Sequence, residues 1–311
     1  MKVLRKNNWS FFFAASAILF FGCTKQDGIT PNWPKKAELP GHGRYNATIF
    51  TISNKAYIGT GYNGSLLKDF WEYDPATDTW TEKADFGGTA RQRATGFSVE
   101  AKGYIGLGYD GGYRNDWWEY DPSLNSWIQK ASMLISKERS VAFVIGKKAY
   151  VGCGYDGASH YNDLWEFTPD SNSWLKKADL PGAIRSMSSA FSIEGMGYLG
   201  MGYNRVQYLS DFYQYDPATN TWLQKASFPE IRSDAASFVI DGKGYVGTGR
   251  NGDSYKKDLW EYDPLQDKWS QRIDFTGGAR YRSVGFAING KGYIATGGNG
   301  TYKKDIFEYW P

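Results

Sequence analysis

Residues 80–127 read WTEKADFGGTARQRATGFSVEAKGYIGLGYDGGYRNDWWEYDPSLNSW. Residues 80–86 alternate enough for a half-buried strand, and Gly87-Gly88 breaks it. Residues 91–99 form a second β-type run, followed by a tight turn at 100–103. The matching turns elsewhere are Asp241-Gly242 and Asn289-Gly290, both strong hairpin signals. Residues 104–109 and 116–120 give two more strands, separated by a loop with Asp110-Gly111-Gly112. Asp121-Pro122 then turns the chain toward the next tryptophan. The unit is a four-stranded antiparallel meander.

The unit recurs. Trp33, Trp80, Trp127, Trp174, Trp222 and Trp269 stand 47, 47, 47, 48 and 47 residues apart. Four short strands cannot bury two faces alone, so neighbouring sheets must stack. Radial stacking gives an all-β β-propeller, which removes sheet edges by closing on itself. Trp33 opens an outer strand with no three strands before it, and residues 281–311 supply three strands and stop. The expectation is six blades, with the N-terminal strand completing the C-terminal blade. The propeller spans 32–311.

The array resembles kelch repeats: a hydrophobic strand ending in glycine, then Tyr-Asp-Pro, then Trp. The Tyr-Asp-Pro copies begin at Tyr73, Tyr120, Tyr215 and Tyr262; Phe167-Thr168-Pro169 and Tyr309-Trp310-Pro311 are weaker. The period also suits kelch, at about 50 residues, better than the WD type. Strand-end glycines alternate (Gly59 and Gly61, Gly106 and Gly108) where kelch strands usually end in a pair, which marks a divergent subgroup.

Residues 1–22 stand outside the array. Lys2, Arg5 and Lys6 precede an apolar run from Phe11 to Phe21, the pattern of a secretory signal. Leu19-Phe20-Phe21-Gly22-Cys23 resembles the bacterial lipobox, which implies lipidation of Cys23, a tether over 23–31 and an exported lipoprotein of the cell envelope. The tether reaches at most about 30 Å and joins the Asp-Pro-turn end of the last blade, so the opposite face should point away from the membrane. Cys153 then has no partner and reads as a small buried residue. Without 1–22, Lys+Arg falls from 36 to 33 against 33 Asp+Glu. A neutral chain argues against a nucleic-acid partner.

Strand alternation sorts the loops onto two faces, and only one face varies in sequence, which is where binding usually lives. Arg44, Arg91, Arg139, Arg185, Arg232 and Arg280 recur where the chain enters each innermost strand, joined by Arg93 and Arg282. Tyr113, Tyr161, Tyr208, Tyr255 and Tyr302 recur between the second and third strands, with Leu66 in the first blade. The arginines either build the blade or offer guanidinium forks to an anion; the tyrosines offer flat amphipathic contact area. Unrepeated residues that break the symmetry are Arg114, Glu138, His160, Arg205, Glu230 and Arg250. A second pair of columns, Glu72, Glu119, Glu166, Glu261 and Glu308 against Lys36, Lys83, Lys130, Lys177, Lys225 and Arg272, should pair across outer strands.

No catalytic triad, zinc motif, phosphate loop or cofactor fingerprint is present in the sequence. Galactose-oxidase-like kelch propellers need two His, two Tyr and a Cys–Tyr link, which His42, His160 and Cys153 do not supply. The sequence reads best as a monomeric, non-catalytic binding or scaffold module for a protein loop or glycan, without metal or cofactor, touching the membrane only through lipid on Cys23. The alternative, implied by resemblance, is a sialic-acid (N-acetylneuraminate) epimerase using Glu138 or Glu230 as acid/base.

Overall fold

The computed structural model describes residues 1–2, 33–252 and 254–311. Most of the expected export signal, Cys23 and the expected tether at 23–31 lie outside the described residues. The blades all belong to one unit, Pro31–Pro311.

Each of the first five blades is a four-stranded antiparallel sheet in sequence order. Blade 1 is built from Thr48–Ile52, Lys55–Gly59, Phe70–Asp74 and Thr79–Lys83. Blades 2 to 5 begin at Thr95, Val141, Ser189 and Ala236. Blade 6 has Val284–Ile288, Lys291–Ala295 and Ile306–Tyr309. The first strand of each blade packs beside the first strand of the next, and Val284–Ile288 packs beside Thr48–Ile52, so the sheets form a closed ring. No helix occurs among the described residues.

The fourth strand of blade 6 comes from the other end of the chain. Lys35 bridges Phe307, Lys36 donates its amide to Ile306 and Leu39 donates to Lys304. Trp33 is buried and packs on Phe275 and Tyr309, at 4.9 and 4.8 Å between ring centroids. The period of tryptophans has a mechanical cause. Each indole Nε1 reaches back to a main-chain carbonyl of the preceding blade: Trp80 to Ala37 (2.7 Å), Trp127 to Ala84 (3.1 Å), Trp174 to Ala131 (2.9 Å), Trp222 to Ala178 (2.9 Å) and Trp269 to Ala226 (3.0 Å). Trp33 points its indole at Ile273 of blade 5 in the same sense, at 3.5 Å.

Within a blade, alternate residues of the first strand (Phe97 and Val99 in blade 2) pack toward one neighbouring sheet, while the small Gly96 between them faces the other, where a Cβ would strike Thr48 of blade 1. The innermost strand starts at Thr95, not near 91 as the sequence pattern suggests. The hairpins Asp241-Gly242 and Asn289-Gly290 have positive φ at both residues (48° and 73°, 52° and 73°), the requirement of a type I′ turn. The alternating glycines also have separate reasons. A Cβ on Gly59 would strike the Phe70 ring. Gly61 has φ +105° and donates its amide to Arg91 of the next blade, at 2.8 Å.

The expected Glu/Lys columns meet. Lys83 lies 3.1 Å from Glu72, Lys130 3.2 Å from Glu119, Lys177 3.5 Å from Glu166 and Arg272 2.7 Å from Glu261. Lys36 reaches Glu308 at 4.0 Å. In blade 4, where Gln214 replaces the carboxylate, Lys225 turns to Asp267 at 3.6 Å. Each carboxylate also accepts from a buried tyrosine, as Glu261 does from Tyr245 at 2.7 Å.

Candidate functional site: the channel mouth

Five of the six arginine positions lie inside the blades. Arg44, Arg91, Arg185, Arg232 and Arg280 are at most 1% exposed. Each makes a two-pronged pair with an aspartate of its own blade: Asp69, Asp116, Asp211, Asp258 and Asp305. The Arg185 prongs measure 2.7 and 2.6 Å. Each also donates to a strand-end carbonyl, such as Arg44 to Thr60 at 3.1 Å. These guanidiniums join the entry loop to the loop before the third strand. Of the two readings open in the sequence, the geometry places them as blade-building residues.

The sixth member of that column is Lys137, not Arg139. Lys137 is fully buried and donates to both Asp163 oxygens, at 2.8 and 2.9 Å. Blade 3 is one residue shorter ahead of this point, and an arginine two positions on disguised the slip. Arg139 belongs to a different column: Asn46, Arg93, Arg139, Met187, Asp234 and Arg282. These residues line a cavity of about 170 Å³ at the channel mouth.

The mouth is built by the backbone. Arg93 donates its amide to Asn46, Arg139 to Arg93, Met187 to Arg139, Asp234 to Met187, Arg282 to Asp234 and Asn46 to Arg282. Six hydrogen bonds of 2.9–3.3 Å thus form a closed loop around the channel, one residue per blade. All six residues have φ between 54° and 59°. Left-handed backbone in non-glycine residues persists only where the surroundings enforce it, and here the ring does so.

The side chains on this ring are not the same in every blade: three are arginine, beside Asn46, Met187 and Asp234. Arg93 donates to both Glu138 oxygens, at 3.0 and 2.9 Å. Arg139 lies 3.4 Å from Glu138. Asp234 faces Arg250 at 3.3 Å and Arg282 at 3.7 Å. Arg93, Arg139, Arg250 and Arg282 therefore stand against Glu138 and Asp234, leaving a positive excess at the mouth. Burial, then the neighbouring Arg93, bring the Arg139 guanidinium down to about 10, against the opposing pull of Asp234 and Glu138. Below the mouth the channel is lined largely by small residues such as Ala94, Gly96, Ala142 and Gly285.

Aromatic rings surround the mouth. Tyr113, Tyr208, Tyr255 and Tyr302 occupy the expected column together with Leu66 and, in blade 3, His160 instead of Tyr161. In blade 3 the tyrosine stands one position further on, at Tyr161, where its ring lies over Lys137 (5.4 Å) and its hydroxyl donates to Asp156 (2.5 Å). The His160 ring lies 4.8 Å from Tyr155, and burial, then Arg139 and Arg205, lower its proton affinity. The sequence missed a second aromatic group: Tyr45, Tyr62, Tyr109, Tyr155, Tyr203 and Tyr281. Tyr45 and Tyr281 flank the Arg282 guanidinium, at 5.1 and 4.5 Å.

The remaining candidates separate. Glu138 is at the mouth. Glu230 instead contacts Arg232, Asn251 and Lys256 in a blade 5 loop, at 3.3, 3.3 and 3.0 Å. Arg114 and Arg205 are exposed and hold Asp110 and the Ala158 carbonyl. Cys153 is buried, and burial pushes its thiol up to about 12. Among the described residues no group of three or more His, Cys, Asp or Glu is placed to hold a metal.

The Kelch motif model matches residues 43–87 and 202–229. A solved structure described as "Structure of YjhT" superposes with a TM-score of 0.74 at 18% identity, over 88% of this chain and 96% of that one. No curated protein matches. At that identity the likeness concerns the fold. The repeat signature and the closed ring of blades agree: the chain is a kelch-repeat β-propeller.

Proposed function

We propose that this propeller is a binding module that takes an anionic protein loop or glycan at its channel mouth. The observation that carries the reading is the backbone ring bearing three guanidiniums, Arg93, Arg139 and Arg282, among unlike neighbours. Residues kept alike in every blade build the blade; residues that differ on an identical frame are free to serve one ligand. Arginine suits carboxylate or phosphate because its planar fork donates two parallel hydrogen bonds. The export signal and Cys23 would carry the module to the cell envelope on a lipid anchor, which acyl mass on Cys23 would test.

The binding test is titration of the full chain with a panel of acidic and neutral peptides and oligosaccharides, beside Arg139→Gln. Binding of acidic members weakened about tenfold in the variant supports the reading, the scale expected for a charge-assisted hydrogen bond. Equal binding by both proteins, or no preference for acidic members, refutes it.

The alternative of an acidic-sugar epimerase rests on Glu138, which lies at the mouth while Glu230 does not. Both its oxygens accept from Arg93. Turnover of N-acetylneuraminate that is lost in Glu138→Gln would favour it, and absence of turnover removes it.

A further inference from the structure

One column on the mouth face loses its side chain in a single blade. At the position bridging the residue before the mouth ring, the blades carry Tyr62, Tyr109, Tyr155, Tyr203 and Arg250; blade 6 carries Gly298, opposite Tyr281. The missing side chain leaves a cavity of about 230 Å³, walled by Tyr45, Tyr255, Tyr281 and Tyr302. Tyr255 stacks on Tyr281 at 4.7 Å and 9°. Tyr302 lies 5.2 Å from Tyr45 and is 41% exposed. A Cβ at position 298 would lie 3.4 Å from the Tyr45 ring.

This pocket and the mouth share a wall. Tyr45 and Tyr281, which line the pocket, are the two rings that hold the Arg282 guanidinium. A group in the mouth and a group in the pocket are thus neighbours. The mouth favours an anion. The pocket, with aromatic walls and a glycine-backbone floor, favours a flat or compact apolar ring.

We infer that the two cavities form one bipartite site for a peptide in which a carboxylate side chain enters the mouth and an adjacent aromatic or prolyl ring enters the Gly298 pocket. The inference rests on the mouth being a binding site for anions. Ring faces accept a peptide ring or a sugar alike, but the pocket lining holds no carboxylate or amide side chain to meet sugar hydroxyls, and this favours the peptide side chain.

The test uses the full chain and four probes in calorimetric or NMR titrations: acetyl-Glu-Phe-amide, acetyl-Glu-Ala-amide, acetyl-Gln-Phe-amide and D-glucuronate. Acetyl-Glu-Phe-amide is expected to bind about tenfold or more tighter than each of the others, the scale of one buried ring or one charge-assisted contact. Gly298→Tyr, which restores the side chain of other blades, should abolish the preference for Phe over Ala and keep that for Glu over Gln. Arg139→Gln should do the reverse. Tyr302→Ala gives a second readout of the pocket if Gly298→Tyr does not fold. Equal binding of the Phe and Ala probes, or a preference that survives both pocket variants, overturns the bipartite site and leaves the mouth reading standing. Equal binding of the Glu and Gln probes overturns both. Tighter binding of glucuronate overturns the peptide in favour of a sugar.

Discussion

Lys36 donates its amide to the carbonyl of Ile306 at 2.9 Å, joining the N-terminal segment at 33–39 to the last strand among the described residues. The contact is one of a set that also includes Leu39 to Lys304 and Glu308 to Pro34. Deleting residues 33–39 removes that strand and the buried Trp33 ring. Loss of a buried tryptophan alone costs about 3–5 kcal/mol, so the melting temperature should fall by about 10 °C or more. Calorimetry of the truncated chain checks this, and unchanged melting would exclude closure by the N-terminal strand.

The buried arginines should matter for folding. In Asp211→Ala the fully buried Arg185 keeps only carbonyl partners. An uncompensated buried charge typically costs about 3–5 kcal/mol. The double variant Arg185→Met with Asp211→Ala should recover much of that loss, because it removes the charge as well as its partner. Denaturant unfolding of the three proteins measures the difference; an Asp211→Ala chain as stable as the parent would show the pair to be dispensable.

Arg139→Gln should separate the mouth from the frame. Its side chain is partly exposed and its main-chain bonds, from Arg139 to Arg93 and from Met187 to Arg139, do not depend on the guanidinium. Stability should change by less than about 1 kcal/mol, while affinity for acidic probes drops. Parallel unfolding and titration of the same sample read both; a large stability loss would reassign Arg139 to the frame.

Acid should weaken the outer rim. Burial alone would raise the Glu261 carboxyl, but hydrogen bonds from Arg272, Tyr245 and Lys243 outweigh it and hold the group at about 2 against an ordinary 4.5. Glu72 and Glu166 are lowered in the same way, burial opposed by lysine and tyrosine donors. A lowered folded-state value means the stabilisation is complete above pH 4.5 and drains away as pH falls toward 2. Glu261→Gln should therefore melt lower than the parent at pH 7 and lose less between pH 7 and 3. Equal acid losses in the two proteins would count against this origin.

The blade count, the closing strand and the Glu/Lys rim were legible in the sequence because each is a repeated feature with a fixed spacing. The mouth was harder to read. Arg139 sits two residues beyond Lys137, and a one-residue deletion in blade 3 made the wrong residue fit the arginine column. In the adjoining loop a tyrosine directly follows the column position, so Tyr161 stood in for His160 because it matched the residue type of the other blades. The partner of each buried arginine was present as a column of aspartates, Asp69 to Asp305, that repeats with the arginines. Pairing it needed only the question of what neutralises a repeated charge. The Gly298 pocket had a weaker signal: a glycine where other blades have tyrosine or arginine, visible only once the bridges fix which positions correspond.

The loop of amide-to-carbonyl links from Asn46 round to Arg282 has no first or last member. Its diameter is set by peptide groups, which every residue type except proline supplies. The six positions can therefore exchange side chains one at a time without the aperture widening or collapsing, provided the incoming residue is not β-branched and so accepts the left-handed backbone. Chains sharing this frame could diverge in what they recognise through very few substitutions, with little change in fold stability to restrain them.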